Sequence, residues 1–405
     1  MFVVKIAVIG GGAAGLTAAG SAKGCSVTVF DHMEKVGKKI YITGKGRCNF
    51  TNVCDNQTFL QNVVTNSPFL RSAISKFTPY DAIDLLENNG CKTKVERGRR
   101  AFPQSDKASD VIKALSRYAD SNGAVIRLNS NVKNIVPADN GYTLCSSDGE
   151  EHFDRVIMCT GGMSYPQTGS DGSAYAVIKR LGHTIIAPQP SLVALITQEN
   201  LSAAEGLTLK NVSLRTEKIK PIFGDLMITA DGISGPIALT LSAYTSREQL
   251  PYKAYIDFKP ALSREELDAR LLRDFGAQLN KQFKNALDLL LPKSAIPFII
   301  ERSGVDSALP VNSVTKKQRA RIVELVKDFE LNVTGNEGFN RAVVTCGGVD
   351  VKEVNPKTME SRILRGLYFG GETLDVDALT GGYNFHIALA TGYVAGVSAA
   401  EGYNG

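Results

Sequence analysis

The stretch that decides the fold is Val3-Val-Lys-Ile-Ala-Val-Ile-Gly-Gly-Gly-Ala-Ala-Gly-Leu16. Val3 to Ile9 alternates little and is rich in β-branched residues, which suits a strand buried on both faces of a parallel sheet. Gly10, Gly12 and Gly15 then form GxGxxG, and Ala13 to Ala22 reads as a small-residue helix able to lie close against the sheet. The first glycine makes the tight turn, the second lets backbone N–H groups reach a pyrophosphate where Ala13 and Ala14 open the helix, and the third permits close helix packing. A second strand, Ser26 to Phe30, ends at Asp31, where dinucleotide-binding folds hold a ribose hydroxyl. Together these predict an α/β protein with a Rossmann-like dinucleotide-binding domain, whereas a ligand-free glycine turn leaves Asp31 unexplained.

Working outward, 405 residues suggest two or three domains. Lys and Arg total 46 against 41 Asp and Glu, and the resulting +5 is too slight to imply a nucleic-acid partner. Seven scattered cysteines without CxxC or Cys/His ligand spacing read as reduced thiols of a cytoplasmic protein with no metal site. The apolar run from Met1 to Ala22 is broken by Gly10, Gly11, Gly12 and Gly15, so it is not read as a signal peptide. No other run approaches the roughly 18 apolar residues of a membrane span.

Lys35 to Asn52 reads KVGKKIYITGKGRCNFTN, a polar, glycine-permissive loop suited to an anionic or carbonyl-rich ligand. Further marks are GRRAFPQSDKASDV at Gly98 to Val111, CTGGMSYPQTGSDG at Cys159 to Gly172, GISGP at Gly232 to Pro236 and TGGYNFHIALATG at Thr380 to Gly392. In these the chain resembles the BaiN-like family of FAD-dependent oxidoreductases, which takes in proteins named aminoacetone oxidases. The resemblance implies FAD as cofactor, with NAD(P)H as a transient electron donor. It also places the loop of Thr43, Gly44, Gly46, Arg47, Cys48 and Asn49 beside the flavin. Lys38 and Lys39 are read either as cofactor contacts or as solvated charges. Cys48 and Cys54 are separated by five residues rather than the four of flavin disulfide reductases, and Cys48 is read as packing near the flavin.

The strand Phe153 to Cys159 runs into Thr160-Gly161-Gly162, resembling the flavoprotein ATG motif with Cys159 at the alanine position. Tyr165, in the turn-rich segment that follows, is a candidate substrate-facing catalytic residue. The basic run Arg97-Gly-Arg-Arg100 reads either as solvated charges or as a contact to substrate anions or NADPH phosphate. Near the C-terminus, a strand enters the glycine turn that carries Gly371, Glu372 and Asp375, expected at the ribityl and diphosphate groups. Gly381, Gly382, Tyr383 and Asn384 open a helix whose positive end would face the flavin pyrimidine. His386 stands where the family usually has glutamine, and reads as a proton donor or as a structurally bonded helix residue.

The domain plan that follows is 1–187 with 341–405 for FAD binding, an inserted β-rich domain at 188–260 with 330–340, and a small helical subdomain at 261–329. Strand-like runs at Ala124 to Leu128, Val132 to Val136 and Tyr142 to Cys145 suggest a small antiparallel excursion, and Leu262 to Leu290 is helical by period. The expected activity is hydride transfer through flavin N5, from NAD(P)H to a small organic acceptor of the enone type. The alternatives are an amine or amino-acid oxidase that uses oxygen and a flavoprotein acting on RNA. A small-molecule substrate, no nucleic acid and no membrane are the expected partners, and the sequence leaves the oligomeric state open.

Overall fold

Lys5–Ile9 forms β1 and Ser26–Phe30 forms β2, each exposed only at its first residue and buried thereafter. They pair in parallel around the helix α1, Ala13–Ser21. This is a computed structural model, and it describes residues 3–401. The outermost residues of the expected FAD-binding domain, 1–2 and 402–405, lie outside that range.

With the helix α2 (Ala108–Asp120) and the strands β3 (Val125–Arg127), β4 (Arg155–Met158) and β5 (Leu367–Phe369), the sheet runs in the order β5-β4-β1-β2-β3, parallel throughout. The short β3 corrects the expectation of an antiparallel strand at Ala124 to Leu128, because it pairs with β2 and extends the nucleotide sheet. The antiparallel excursion itself consists of Val132–Ala138, Gly141–Ser146 and Gly149–Phe153.

The C-terminal helix α3, Tyr383–Glu401, lies against α1 with almost no space between the backbones. A Cβ on Gly392 would stand 2.3 Å from the Ala14 carbonyl oxygen, and one on Gly396 would stand 2.3 Å from that of Ala18. Alanines on α1 and glycines on α3 therefore share a seam that no larger side chain fits. It brings α1 and α3, and the glycine turns before each helix, into one structure.

The chain divides into two units, one running to Ser191 and again from Phe339, the other spanning Leu192–Gly338. The second holds a closed six-stranded barrel: Leu195–Thr197, Gly232–Ser234, Ile222–Thr229, Thr208–Thr216, Tyr252–Asp257 and Phe329–Asn336. Its helices do not form a separate subdomain. Leu267 and Leu271 on Arg264–Gly276, Ile299 on Ile296–Ser303 and Ile322 on Lys316–Lys327 share one core with barrel residues Leu214, Leu226, Ile256 and Leu331. The helix expected to continue to Leu290 ends at Gly276, and turns and short 3-10 segments follow.

Candidate dinucleotide and substrate site

The glycine turn after β1 is built by close approach. The Gly10 N–H donates to the Phe30 carbonyl at 2.8 Å, and at φ +104° a Cβ there would meet the Cys159 carbonyl oxygen at 2.3 Å. A Cβ on Gly15 would stand 1.8 Å from the Gly10 oxygen. Gly12 differs: nothing lies within 4 Å of a Cβ added there, and no side chain caps the start of α1. The Asp31 carboxylate accepts from the N–H groups of Gly11 and Met33, both at 2.8 Å. Burial pushes its carboxyl above the usual range, and the two N–H bonds offset part of that rise. An open lip of backbone N–H groups beside a fixed carboxylate has the donor and acceptor chemistry of a dinucleotide cradle.

Glu372 closes the far side. A Cβ on Gly371 would lie 2.9 Å from the Ala14 Cβ, so the acid is carried next to the first turn of α1. Its Oε2 accepts from Lys39 Nζ at 2.6 Å, and its Oε1 accepts from the Ser164 hydroxyl at 2.9 Å and the Thr345 N–H at 2.8 Å. Lys39 also donates to Ser164, and the Thr345 hydroxyl accepts from the N–H groups of Met163 and Ser164. Burial alone would raise the Glu372 carboxyl. The Lys39 charge and the three donors outweigh it and hold the group ionised, below its ordinary value. Thr160, Gly161 and Gly162 border this cluster: the Thr160 hydroxyl lies 3.4 Å from that of Thr373, and a Cβ on Gly162 would strike the Thr345 hydroxyl at 2.4 Å.

The loop 43–52 is held in left-handed backbone at Gly44, Lys45, Gly46 and Cys48. Two of these are not glycine, a strained arrangement that costs of order 1 kcal/mol per residue. The loop abuts the turn before α3: a Cβ on Gly382 would lie 2.5 Å from the Thr51 oxygen and 2.8 Å from Asn49 Oδ1. That Asn49 oxygen is buried with no hydrogen-bond partner. Together with open Gly12 it marks a surface whose polar groups are left for a ligand, and the residues present fit a flavin dinucleotide.

Several expected contacts are otherwise engaged. Arg47 pairs with Asp106 and Glu96 and lies over the Phe102 ring, so its guanidinium is engaged within the protein. Lys38, at the start of the short helix Lys38–Ile42, pairs with exposed Glu34 four residues before it. The Thr43 hydroxyl bonds the Lys39 carbonyl. The Asn384 side chain is fixed on the N–H and carbonyl of Ala378, and the Asp375 carboxylate accepts from Asn66 at 3.1 Å. Tyr383 is buried edge-on to Phe59. The side chains of these residues are thus engaged within the protein.

His386 corrects the expectation of a proton donor. It is fully buried, its Nε2–H donates to the Phe77 carbonyl at 3.1 Å, and its Nδ1 therefore accepts from the Thr51 hydroxyl at 3.0 Å. Burial holds the ring neutral, its pKa pushed down to about 4. Cys48 and Cys54 are free thiols, and burial pushes the Cys48 thiol well up. Tyr165 is half-buried at left-handed φ, its N–H bonded to the Phe339 carbonyl.

With the geometry in place, comparison with known proteins decides the family. The HI0933-like protein Rossmann domain matches residues 4–398. The chain belongs to this family. It is 32% identical to the 3-dehydro-bile acid delta(4,6)-reductase of Clostridium scindens, over 98% of this chain and 99% of that one. It is 34% identical to the ribosomal RNA dihydrouridine synthase of Haemophilus influenzae, over 96% of this chain and 97% of the other. Among solved structures, the 3-ketosteroid-delta4-(5alpha)-dehydrogenase of Rhodococcus jostii shares the fold at TM-score 0.52 and 14% identity, covering 99% of this chain and 98% of that one. Membership makes the chain a flavoprotein oxidoreductase, as its motifs implied. Among the described residues, no helix is long and apolar enough to cross a membrane.

Proposed function

We propose that this chain is an FAD-dependent reductase that uses NAD(P)H to saturate a carbon–carbon double bond conjugated to a carbonyl. The observation that carries the reading is a reaction common to two full-length relatives with unlike substrates. A delta(4,6)-reductase of a 3-dehydro-bile acid and a dihydrouridine synthase each saturate a ring double bond conjugated to a carbonyl. Enone-type reduction is therefore the chemistry proposed for the shared site.

FAD, when bound, supplies the hydride chemistry. The N–H groups of Gly12 to Ala14 would receive its diphosphate, and Asp31, oriented by the Gly11 N–H, its ribose hydroxyls. Glu372, kept ionised by Lys39, Ser164 and Thr345, would accept from sugar hydroxyls. The start of α3 at Tyr383 offers a positive end to the flavin pyrimidine. His386 holds no proton for the reaction. Tyr165 is the proposed donor of the proton that completes saturation at the carbon next to the carbonyl.

The test is product analysis: with NADPH and a steroid 3-keto-4-ene, or uridine-containing RNA, the product gains two hydrogens. Tyr165→Phe should lower kcat at least tenfold while flavin content stays at the wild-type level. A uracil ring in RNA is the second reading of the acceptor, favoured by the Haemophilus influenzae relative. The oxidase alternative would give peroxide from oxygen and no saturated product.

A further inference from the structure

The basic run at 97–100 forms a hairpin tip. Thr93–Glu96 pairs with Arg100–Pro103, Glu96 opposite Arg100, and Arg97, Gly98 and Arg99 make the connection. Arg97, Arg99 and Arg100 are all exposed, and among the described residues neither Arg97 nor Arg99 has an ion-pair partner. The acid on this hairpin is already engaged, Glu96 with Arg47 and Lys94. Three cations within four residues repel one another, and among the described residues none of the three is held in an ion pair.

The tip is tied to the site. Asn52, 5% exposed, donates its side-chain N–H to the Gly98 carbonyl at 3.0 Å and to the Gly381 carbonyl at 3.2 Å. The Val53 N–H donates to the Arg99 carbonyl at 2.7 Å. One buried amide thus joins the arginine tip to the glycine turn that starts α3. Arg99 also sits at φ +59°, a left-handed backbone that glycine or asparagine adopts with less strain. Arg99 is therefore an exposed arginine held in strained backbone next to the site.

We propose that the Arg97–Arg100 tip is an oxyanion subsite that holds a carboxylate or phosphate carried by the hydride acceptor outside its reacting ring. The reductase reading enters only as the identity of that ring. The guanidinium geometry suits either oxyanion, which would take paired N–H donors from the tip.

The test uses the flavin-loaded protein and follows binding by perturbation of flavin absorbance. Two matched pairs serve as probes: a 3-keto-4-ene steroid carboxylic acid against its methyl ester, and a uridine-containing oligoribonucleotide against uridine. Wild type should prefer the charged member of one pair, and that pair names the source as a small acid or an RNA strand. Arg97→Gln and Arg99→Gln should each weaken the charged member about tenfold, leave the neutral member unmoved, and flatten the salt dependence. Arg99→Asn should raise the melting temperature and still weaken the charged probe, a pairing of effects that a scaffold role does not give. Wild type that binds charged and neutral members alike, or variants that keep the wild-type preference, would overturn the subsite. A loss seen only in the rate of flavin bleaching by NADPH, and not by NADH, would overturn it by assigning the tip to the donor. Charge-selective binding without any saturated product would uphold the subsite and sink the reductase reading.

Discussion

Replacing His386 with glutamine separates structure from chemistry at a fully buried position of the site. In the native protein the ring accepts from Thr51 and donates to the Phe77 carbonyl, and a glutamine offers one acceptor and one donor at similar reach. At about pH 7 the His386→Gln protein should therefore differ from wild type by less than about 1 kcal/mol. Acid separates them. The native ring titrates at about 4 against 6.5 for the unperturbed side chain, because burial disfavours the charged form. The depressed value means that the unfolded chain takes up the proton first as pH falls. Stability is fully present above pH 6.5 and is lost toward pH 4, at about 1.4 kcal/mol per unit, or about 3 kcal/mol in all. The variant lacks this titration, so its stability should fall less by that amount. Urea denaturation of both proteins at several pH values between 7 and 4 reads the difference directly, since every other titrating group cancels. Parallel profiles would refute the buried neutral imidazole. A tenfold loss of turnover at pH 7 with flavin content intact would refute its purely structural role.

Three further outcomes follow from the site geometry. Gly12→Ala meets no protein atom within 4 Å, so the flavin-free protein should keep its stability within about 0.5 kcal/mol while flavin affinity falls at least tenfold; unchanged affinity in a fluorescence titration would remove Gly12 from the cradle. Lys39→Met strips Glu372 of its cation and should cost about 2 kcal/mol in urea unfolding, less than a fully buried pair because both groups keep some exposure. Lys39→Met with Glu372→Gln should regain most of that loss, and a double variant no more stable than the single would contradict the pairing. Thiol titration in denaturant without reductant should count all seven cysteines, and Cys48→Ala should still be bleached by NADPH, whereas loss of bleaching would give Cys48 a redox role.

What was legible in the sequence was local. The glycine spacing, the acid at Asp31 and the small-residue helix lie within one βαβ stretch, and the backbone there has few ways to satisfy Gly10, Gly12 and Gly15 at once. Contacts between distant segments were not legible. Ser164 lies 125 residues from Lys39, and Glu372 lies 333 residues from it, yet the three form one network with Thr345. A lone threonine in the buried strand Val344–Val349, one cysteine before Gly347 and Gly348, was the signal for Thr345. Arg47 looked like a ligand group because its loop is polar, but Glu96 and Asp106 take its charge from 49 and 59 residues away. The three-residue strand Val125–Arg127 is too short for its pattern to distinguish a parallel edge from an antiparallel excursion. His386 turned on burial, which a single helical period does not reveal.

The central claim is reduction of a conjugated carbonyl compound, and an anaerobic two-step titration tests it most directly. NADPH is added to the flavin-loaded protein until the visible flavin band bleaches, and then the acceptor is added with oxygen still excluded. The account predicts that a steroid 3-keto-4-ene or a uridine-containing RNA restores the band and yields one saturated product per flavin. A band that stays bleached with every such acceptor and returns only on admitting air would contradict it, and would point to an oxidase instead.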